Sequence, residues 1–221
     1  GIAVAAKALK PALKVYGVQS EVYPAMKAAL EGRTIAPTRQ TVAEGIAVKE
    51  PGKLTRKVVA ALVEDILIVT ETQIERAINM FIEVEKVVVE GAGSATLAAL
   101  LQYPGLFKGQ KVGLVLSGGN IDPKILAFAL MRGLVRDGRI SRLRVTTPDL
   151  PGSLAKLTAI VASEGGNVIE VYHQRQFADI ALKYTDIELV LETKDAGHMD
   201  RIVKALEAVG FEVERLAYAQ H

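Results

Sequence analysis

The sequence predicts an α/β protein in two parts: a mainly parallel sheet layered with helices over residues 1–138, then a βαββαβ unit over residues 139–221. Three observations predict it. Helical and strand patterns alternate from the start to about Arg139, the order expected where helices connect parallel strands. After "RDGR" (Arg136–Arg139) the strands alternate apolar and polar residues, as half-buried strands do. Turn signals then set out helices and strands in the order βαββαβ, a recurrent supersecondary arrangement.

In the first part, Ile2–Leu9 has helical spacing and stops before Pro11, and "LKVYGV" (Leu13–Val18) reads as a short strand. "YPAMKAALEG" follows as a helix with Pro24 in its first turn and Gly32 past its end. Thr34–Lys53 spreads Pro37, Gly45, Pro51 and Gly52 between apolar pairs, so a long loop with at most one turn of order is expected. Loops of that length in compact domains are usually functional or mobile. A helix begins at Thr55, and Ile66–Thr70 is a strand whose last residue caps the next helix. There Ile74, Ala77, Ile78, Phe81 and Ile82 fall three and four apart and present one apolar stripe. "GAGSATLAALL" is a helix entered through small residues, and "VGLVL" (Val112–Leu116) has the continuous apolar pattern of a strand buried on both faces of a parallel sheet. Pro123–Val135 is the last helix of this part.

In the second part Ile140–Thr147 is a strand, Leu154–Ser163 a helix, Val168–Gln176 and "YTDIELVLETK" strands, "AGHMDRIVKALEAVG" a helix and "FEVERL" the closing strand. The chain shows no internal repeat and no low-complexity stretch.

At 221 residues, 50% of them apolar, the chain can bury a real core. Its 27 Lys and Arg against 25 Asp and Glu leave +2, too weak a field to draw nucleic acid or an anionic membrane. A small, neutral partner fits better. With no cysteine, disulfides, thiolate nucleophiles and cysteine metal sites are excluded, and a reducing cytoplasm is compatible. Apolar runs such as Val58–Val63 fall far short of the roughly 20 residues that cross a bilayer. His173, His198 and His221 are scattered, so no metal cluster or triad is expected. The basic run Arg136–Arg144 reads as a solvated linker, with a phosphate site as the alternative.

Two motifs can carry chemistry. Ser117-Gly118-Gly119-Asn120 follows the "VGLVL" run and leads through Asp122-Pro123 into a helix. In a parallel sheet, ligands bind at such carboxyl ends of strands, and glycines admit close approach of backbone to ligand. The same residues also make a good plain turn, and no Gly-Lys-Ser/Thr follows to form a Walker loop. In "VVVEGAGSATLAAL", Glu90 ends an apolar run before Gly91 and Gly93. It can be a surface carboxylate or, beside close-packing glycines, a buried and paired one.

Taken together, "GVQSE", "TVAEGIAV…PG", "VVVEGAG…AAL" and "LVLSGGNID" resemble, in order and spacing, the carboxyl-terminal half of the pyridoxal-phosphate threonine dehydratases. That fold-type II group also contains serine dehydratase and serine racemase. From Ile140 onward, "TTPDLPGSLAKLTAIVASEGGNVIEV" resembles an ACT domain, a ferredoxin-like βαββαβ module, in its Pro-Gly turn, following helix and Gly-x-Asn entry to the second strand. The boundary between the parts is placed near Gly138.

The resemblance implies a lyase that eliminates water from L-threonine to give 2-oxobutanoate and ammonia, and that turns L-serine into pyruvate. Pyridoxal 5'-phosphate is the implied cofactor. Ser117 matches the serine that hydrogen-bonds the pyridine nitrogen, next to Gly118; Glu90 matches a carboxylate near the ring, and Gly45 a glycine whose backbone lies alongside it. A hydroxyl at the nitrogen, unlike a carboxylate, does not force the ring to stay protonated, which makes it a weaker electron sink suited to elimination. The family's Schiff-base lysine lies in a Ser-Phe-Lys segment, and neither that segment nor the phosphate-binding tetraglycine loop occurs in these residues. No catalytic residue is therefore assigned, and the expectation is a fragment inactive alone. Where some relatives hold a divalent cation, Gln19-Ser20-Glu21-Val22-Tyr23-Pro24-Ala25 offers an amide and a methyl, so no metal site is expected.

The ACT-like module implies either a dimerisation surface alone or a site for a small amino-acid effector at a paired interface, near Leu150, Gly152, Ser153 and Asn167. Isoleucine, valine and serine are the candidates by analogy with feedback control, as in isoleucine biosynthesis. At least a homodimer is expected, with no nucleic-acid or membrane partner. The alternatives are an amino-acid-sensing regulatory protein without catalysis, or a serine racemase or dehydratase.

Overall fold

The computed structural model describes residues 1–37, 39–174 and 183–216. The chain divides into two compact units, Gly1–Leu130 and Met131–His221.

The first unit opens with α1 (Ile2–Leu9), followed by β1 (Tyr16–Ser20), α2 (Ala25–Leu30), α3 (Lys53–Leu62) and β2 (Asp65–Val69). β1 and β2 pair in parallel, Tyr16 opposite Asp65 through Ser20 opposite Val69. The connection between them carries α2, the 33–52 loop and α3, the crossover that a parallel pair requires. Among its described residues the loop holds one 3-10 turn, Glu44–Ile46.

Thr70 caps α4 (Glu71–Met80) by accepting the Gln73 N–H at 3.3 Å, as its position after the strand predicts. The α4 stripe is buried at Ile74, Ala77 and Ile78, and continues into a π turn at Phe81–Glu85 that ends at Lys86 in the left-handed region. α5 (Gly91–Gln102) is buried along most of its length because glycine and alanine let it sit close to its neighbours. At its end Gln102 accepts the Thr70 N–H at 3.0 Å and donates to Ile68 O at 2.9 Å, which pins the end of β2. A short turn, α6 (Pro104–Phe107), places Phe107 edge-on to Tyr16 at 5.8 Å. α7 (Pro123–Arg136) starts at Asp122, whose carboxylate accepts the N–H groups of Lys124 and Ile125 at 2.8 and 3.2 Å.

One expected element is corrected. Val112–Leu116 forms no strand: it joins no ladder among the described residues, and Val112, Val115 and Leu116 are exposed. An apolar run becomes a strand only where a neighbour offers backbone partners about 4.8 Å away, and among the described residues the sheet of this unit has only β1 and β2.

The second unit runs β3 (Ile140–Pro148), α8 (Ser153–Ser163), β4 (Asn167–Gln174), β5 (Tyr184–Glu192), α9 (Ala196–Ala208), β6 (Glu212–Leu216). The sheet order is β4-β5-β3-β6 and the β3–β5, β3–β6 and β4–β5 pairings are antiparallel, so the expected βαββαβ arrangement is realised. The expected end of the second strand, residues 175–176, lies outside the described residues, as does His221. Period-two alternation sends Leu143, Val145, Ile187, Leu189 and Leu191 to one face, where they pack with Leu157 and Val161 of α8 and Ile202 and Leu206 of α9.

The other face of the sheet carries charge. Arg142 and Arg144, expected in a linker, belong to β3; both pair with Glu188 of β5, and Arg144 also reaches Glu214 of β6 at 3.0 Å. Burial pushes the Glu188 carboxyl up, but hydrogen bonds from Arg144 and Arg142 outweigh it and hold the group below its ordinary range. A lowered folded-state value contributes stability that is fully present above the unfolded value, about 4.3, and is lost as pH falls through the lowered one. Melting curves of the protein and of Glu188→Gln, taken from about pH 6 to about pH 3, are expected to converge as pH falls. A constant gap between them would show that the pair contributes nothing.

His198, near a helix start as read from the sequence, is a buried core residue. Its Nδ1 accepts the Lys194 N–H at 3.1 Å, so Nε2 carries the proton and donates to Glu164 O at 2.7 Å, joining the end of α8 to the start of α9. His173 stands exposed on β4.

Candidate functional site

Three segments distant in sequence meet at the amino end of α5. Val89 is buried, and Glu90, in extended conformation, donates its N–H to Gly118 O at 3.1 Å while its own carbonyl accepts the Ser94 N–H at 2.9 Å to start the helix. That single residue therefore ties the Ser-Gly-Gly turn to the helix. Its side chain does not cap α5; the half-buried carboxylate is turned toward two glycines. A Cβ on Gly118 would lie 2.6 Å from Glu90 Oε1, and one on Gly45 would lie 3.3 Å from the same oxygen and 3.0 Å from Ala92 Cβ.

The segments interlock further. A Cβ on Gly91 would meet Val42 O at 2.2 Å, and one on Gly93 would meet Gly118 O at 3.0 Å and Ser117 N at 3.5 Å. Gly118 has φ 137°, a region that L side chains rarely adopt. Ser117 and Gly118 lie at the exposed rim, and the Ile121 N–H donates to Gly119 O at 3.0 Å to close the turn before α7. The structure thus brings Gly45, Glu90 and Gly118 together, with Ser117 beside them.

Gly45 and Gly118 bring side-chain-free backbone up to the Glu90 carboxylate at the amino end of α5, with Ser117 exposed next to Gly118, and backbone without side chains is what lets a flat group approach closely. By contrast, a recess of about 330 Å³ lined by Lys27, Leu30, Val59, Val63 and Asp65 involves none of these residues.

Gln19, in the stretch where the resemblance raised the question of a cation, uses its amide to close the β1–α2 turn, accepting the Lys27 N–H at 3.0 Å and donating to Tyr23 O at 3.3 Å. Among the described residues no group of three His, Asp or Glu is placed to hold a metal.

In the second unit, Leu150 is exposed, Gly152 precedes α8 with φ 90°, and the Ser153 hydroxyl donates to Pro148 O at 2.9 Å. Asn167 donates to Glu192 at 3.1 Å. The register puts them apart: Asn167 is level with Ile140, both opposite Glu192, whereas the Leu150–Ser153 turn follows Pro148 at the other end of β3, roughly 25 Å away.

A further group was not visible in the sequence. Glu71, which reads as an ordinary acidic first residue of a helix, accepts three hydrogen bonds from β1 and from the 41–45 loop.

Residues 1–118, more than half of the chain, match the family model described as pyridoxal-phosphate dependent enzyme. The chain belongs to the pyridoxal-phosphate dependent enzyme family. Within this family's relatives, an L-threonine ammonia-lyase of Thermotoga maritima is 42% identical over 215 residues, 96% of this chain and 53% of that protein. An L-threonine ammonia-lyase of Geobacter sulfurreducens is 36% identical over 218 residues, 98% of this chain and 54% of that protein. The chain spans about half the length of the curated relatives it matches. A solved threonine deaminase from T.th. superimposes with a TM-score of 0.51 at 35% identity, over 55% of this chain and 45% of that one. The interlocked glycines and the Glu90 carboxylate belong to the matched span, so this pyridoxal-phosphate family chain presents its candidate site within the family region.

Proposed function

We propose that the protein carrying this chain is a threonine ammonia-lyase, converting L-threonine to 2-oxobutanoate and ammonia, and also L-serine to pyruvate. The observation that carries this reading is the convergence of Gly45 and Gly118 on the Glu90 carboxylate in a chain of this family, with relatives named for that activity at 42% and 36% identity. When bound, pyridoxal phosphate supplies an electron sink that labilises the α-proton and lets the β-hydroxyl leave. Ser117 would orient the ring by donating a hydrogen bond to its nitrogen, without forcing that nitrogen to stay protonated. Gly45 and Gly118 would keep side chains away from the ring, and Glu90 would place a carboxylate near its edge. Initial rates of the whole protein on threonine and serine test the proposal. Higher kcat/KM on threonine supports it; racemisation of serine without ammonia release refutes it.

Residues 139–221, within the second unit, are proposed as a regulatory ACT domain following the catalytic portion 1–138. Because Asn167 and the Leu150–Ser153 turn occupy opposite ends of the sheet, an effector touching both sits between two copies of this unit, with one end from each. That reading makes the protein at least a dimer. Titration calorimetry with isoleucine, valine and serine tests it, and no heat from any of them argues for a purely dimerising module.

A further inference from the structure

The 33–52 stretch has little regular structure, yet Thr41 is 6% exposed and Ala43 fully buried. Something outside the loop holds it. The Glu71 carboxylate does so from the first turn of α4: Oε1 accepts the Thr41 hydroxyl at 2.6 Å and Oε2 accepts the Val42 N–H at 2.8 Å. Its Oε1 also accepts the Ser20 hydroxyl at the end of β1 at 2.6 Å. The two hydroxyl oxygens are used in turn, Thr41 accepting the Ala43 N–H and Ser20 the Val22 N–H, each at 3.1 Å. A carboxylate at a helix start is held favourably by the helix dipole, so this anchor is fixed by α4 and not by the loop.

The anchored residues lead directly to the site. The Ile46 N–H donates to Ala43 O at 3.1 Å, forming the 3-10 turn that contains Gly45, which faces Glu90 Oε1. On the other side, Gly91 lies against Val42 O with no room for a methyl group. The stretch around Val42 is thus clamped between Glu71 and α5, just before Gly45 begins to line the candidate seat.

We propose that Glu71 is a positioning residue for the cofactor seat: by holding Thr41 and Val42 it sets where Gly45 stands relative to Glu90, so that cofactor affinity depends on a group that touches no cofactor. This rests on the reading of residues 45, 90 and 117 as the seat of the pyridoxal ring. Removing the carboxylate orphans the Val42 N–H and frees the loop to sample other positions, each of which lowers the fraction of protein competent to bind. Glutamine preserves the tie, because its amide oxygen can accept the Val42 N–H while its NH₂ donates to two hydroxyl oxygens that turn round.

The test is the dissociation constant of pyridoxal phosphate, read by its absorbance and fluorescence in the whole protein, alongside melting temperature with and without cofactor. Glu71→Ala is expected to weaken cofactor binding about tenfold and to shrink the cofactor-induced rise in Tm, with Glu71→Gln within about twofold of the parent. Ser20→Ala is the control: it removes a bond of the same length to the same oxygen, together with the longer 3.3 Å Thr41–Ser20 hydroxyl contact, but leaves both Glu71 ties to the loop, so Tm falls while affinity stays within about twofold. Should Glu71→Ala not fold, Thr41→Val takes its place with an expected loss of about threefold or more. Equal affinities for parent, Thr41→Val and Glu71→Ala overturn the proposal. So does an equal loss in Ser20→Ala and Thr41→Val. A parent protein that binds no pyridoxal phosphate refutes the seat itself, a result distinct from either.

Discussion

Replacing Gly91 by alanine is expected to lower the stability of the first unit by about 3 kcal/mol or more, against what helix propensity alone would suggest. Gly91 is the first residue of α5, and alanine favours a helix over glycine by about 1 kcal/mol. The methyl, however, would stand 2.2 Å from Val42 O, 2.6 Å from Val42 C and 2.9 Å from Ala43 N, all backbone atoms. Non-bonded heavy atoms settle at roughly 3.5 Å or more, so α5 or the 41–45 loop must move. Neither is free to do so: α5 is buried, and the loop is tied to Glu71. The clash outweighs the propensity gain, and a fall in Tm of roughly 10 °C is expected by calorimetry. An unchanged or raised Tm would mean that the helix start and the loop are not in contact.

Gly118→Ala is expected to act on the site more than on the fold. Its Cβ would meet Glu90 Oε1 at 2.6 Å and Cδ at 2.9 Å, and these atoms end a side chain that can swing away. Folding therefore survives, at a strain cost of about 1–3 kcal/mol for a side chain at φ 137°. What is lost is the placement of the carboxylate beside Gly45 and Ser117. Misplacement of that order costs roughly a hundredfold in kcat/KM, measured on threonine with the whole protein. Measured together, the two variants separate a packing glycine from a site glycine: the first has the larger loss of Tm, the second the larger loss of activity at temperatures where both are folded.

How much of this was legible in the sequence differs from element to element for physical reasons. The α4 stripe at Ile74, Ala77 and Ile78, the Thr70 cap and the alternation through Leu143, Val145, Ile187, Leu189 and Leu191 are local patterns, and the structure realises them. Val112–Leu116 is not a strand because a strand is a relation between segments, and hydrophobicity in one segment does not supply a ladder partner. The arginines of β3 read as a linker because their partners, Glu188 and Glu214, lie more than forty residues away. Among the candidate site residues, Glu90 and the Ser117–Gly118 turn could be named from their motifs, but their meeting with Gly45 depends on how α5 and the loops pack. Glu71 was hidden for the same reason: an acid at a helix start looks complete as a dipole partner, and nothing local shows that two other segments donate to it.

The most direct measurement of the central claim is a crystal structure of the whole protein with pyridoxal phosphate bound. The Ser117 hydroxyl is expected within about 2.6–3.2 Å of the ring nitrogen, with Gly45 and Glu90 bordering the ring. A ring bound elsewhere, or a Ser117 oxygen turned away from that nitrogen and beyond hydrogen-bond reach, would contradict it.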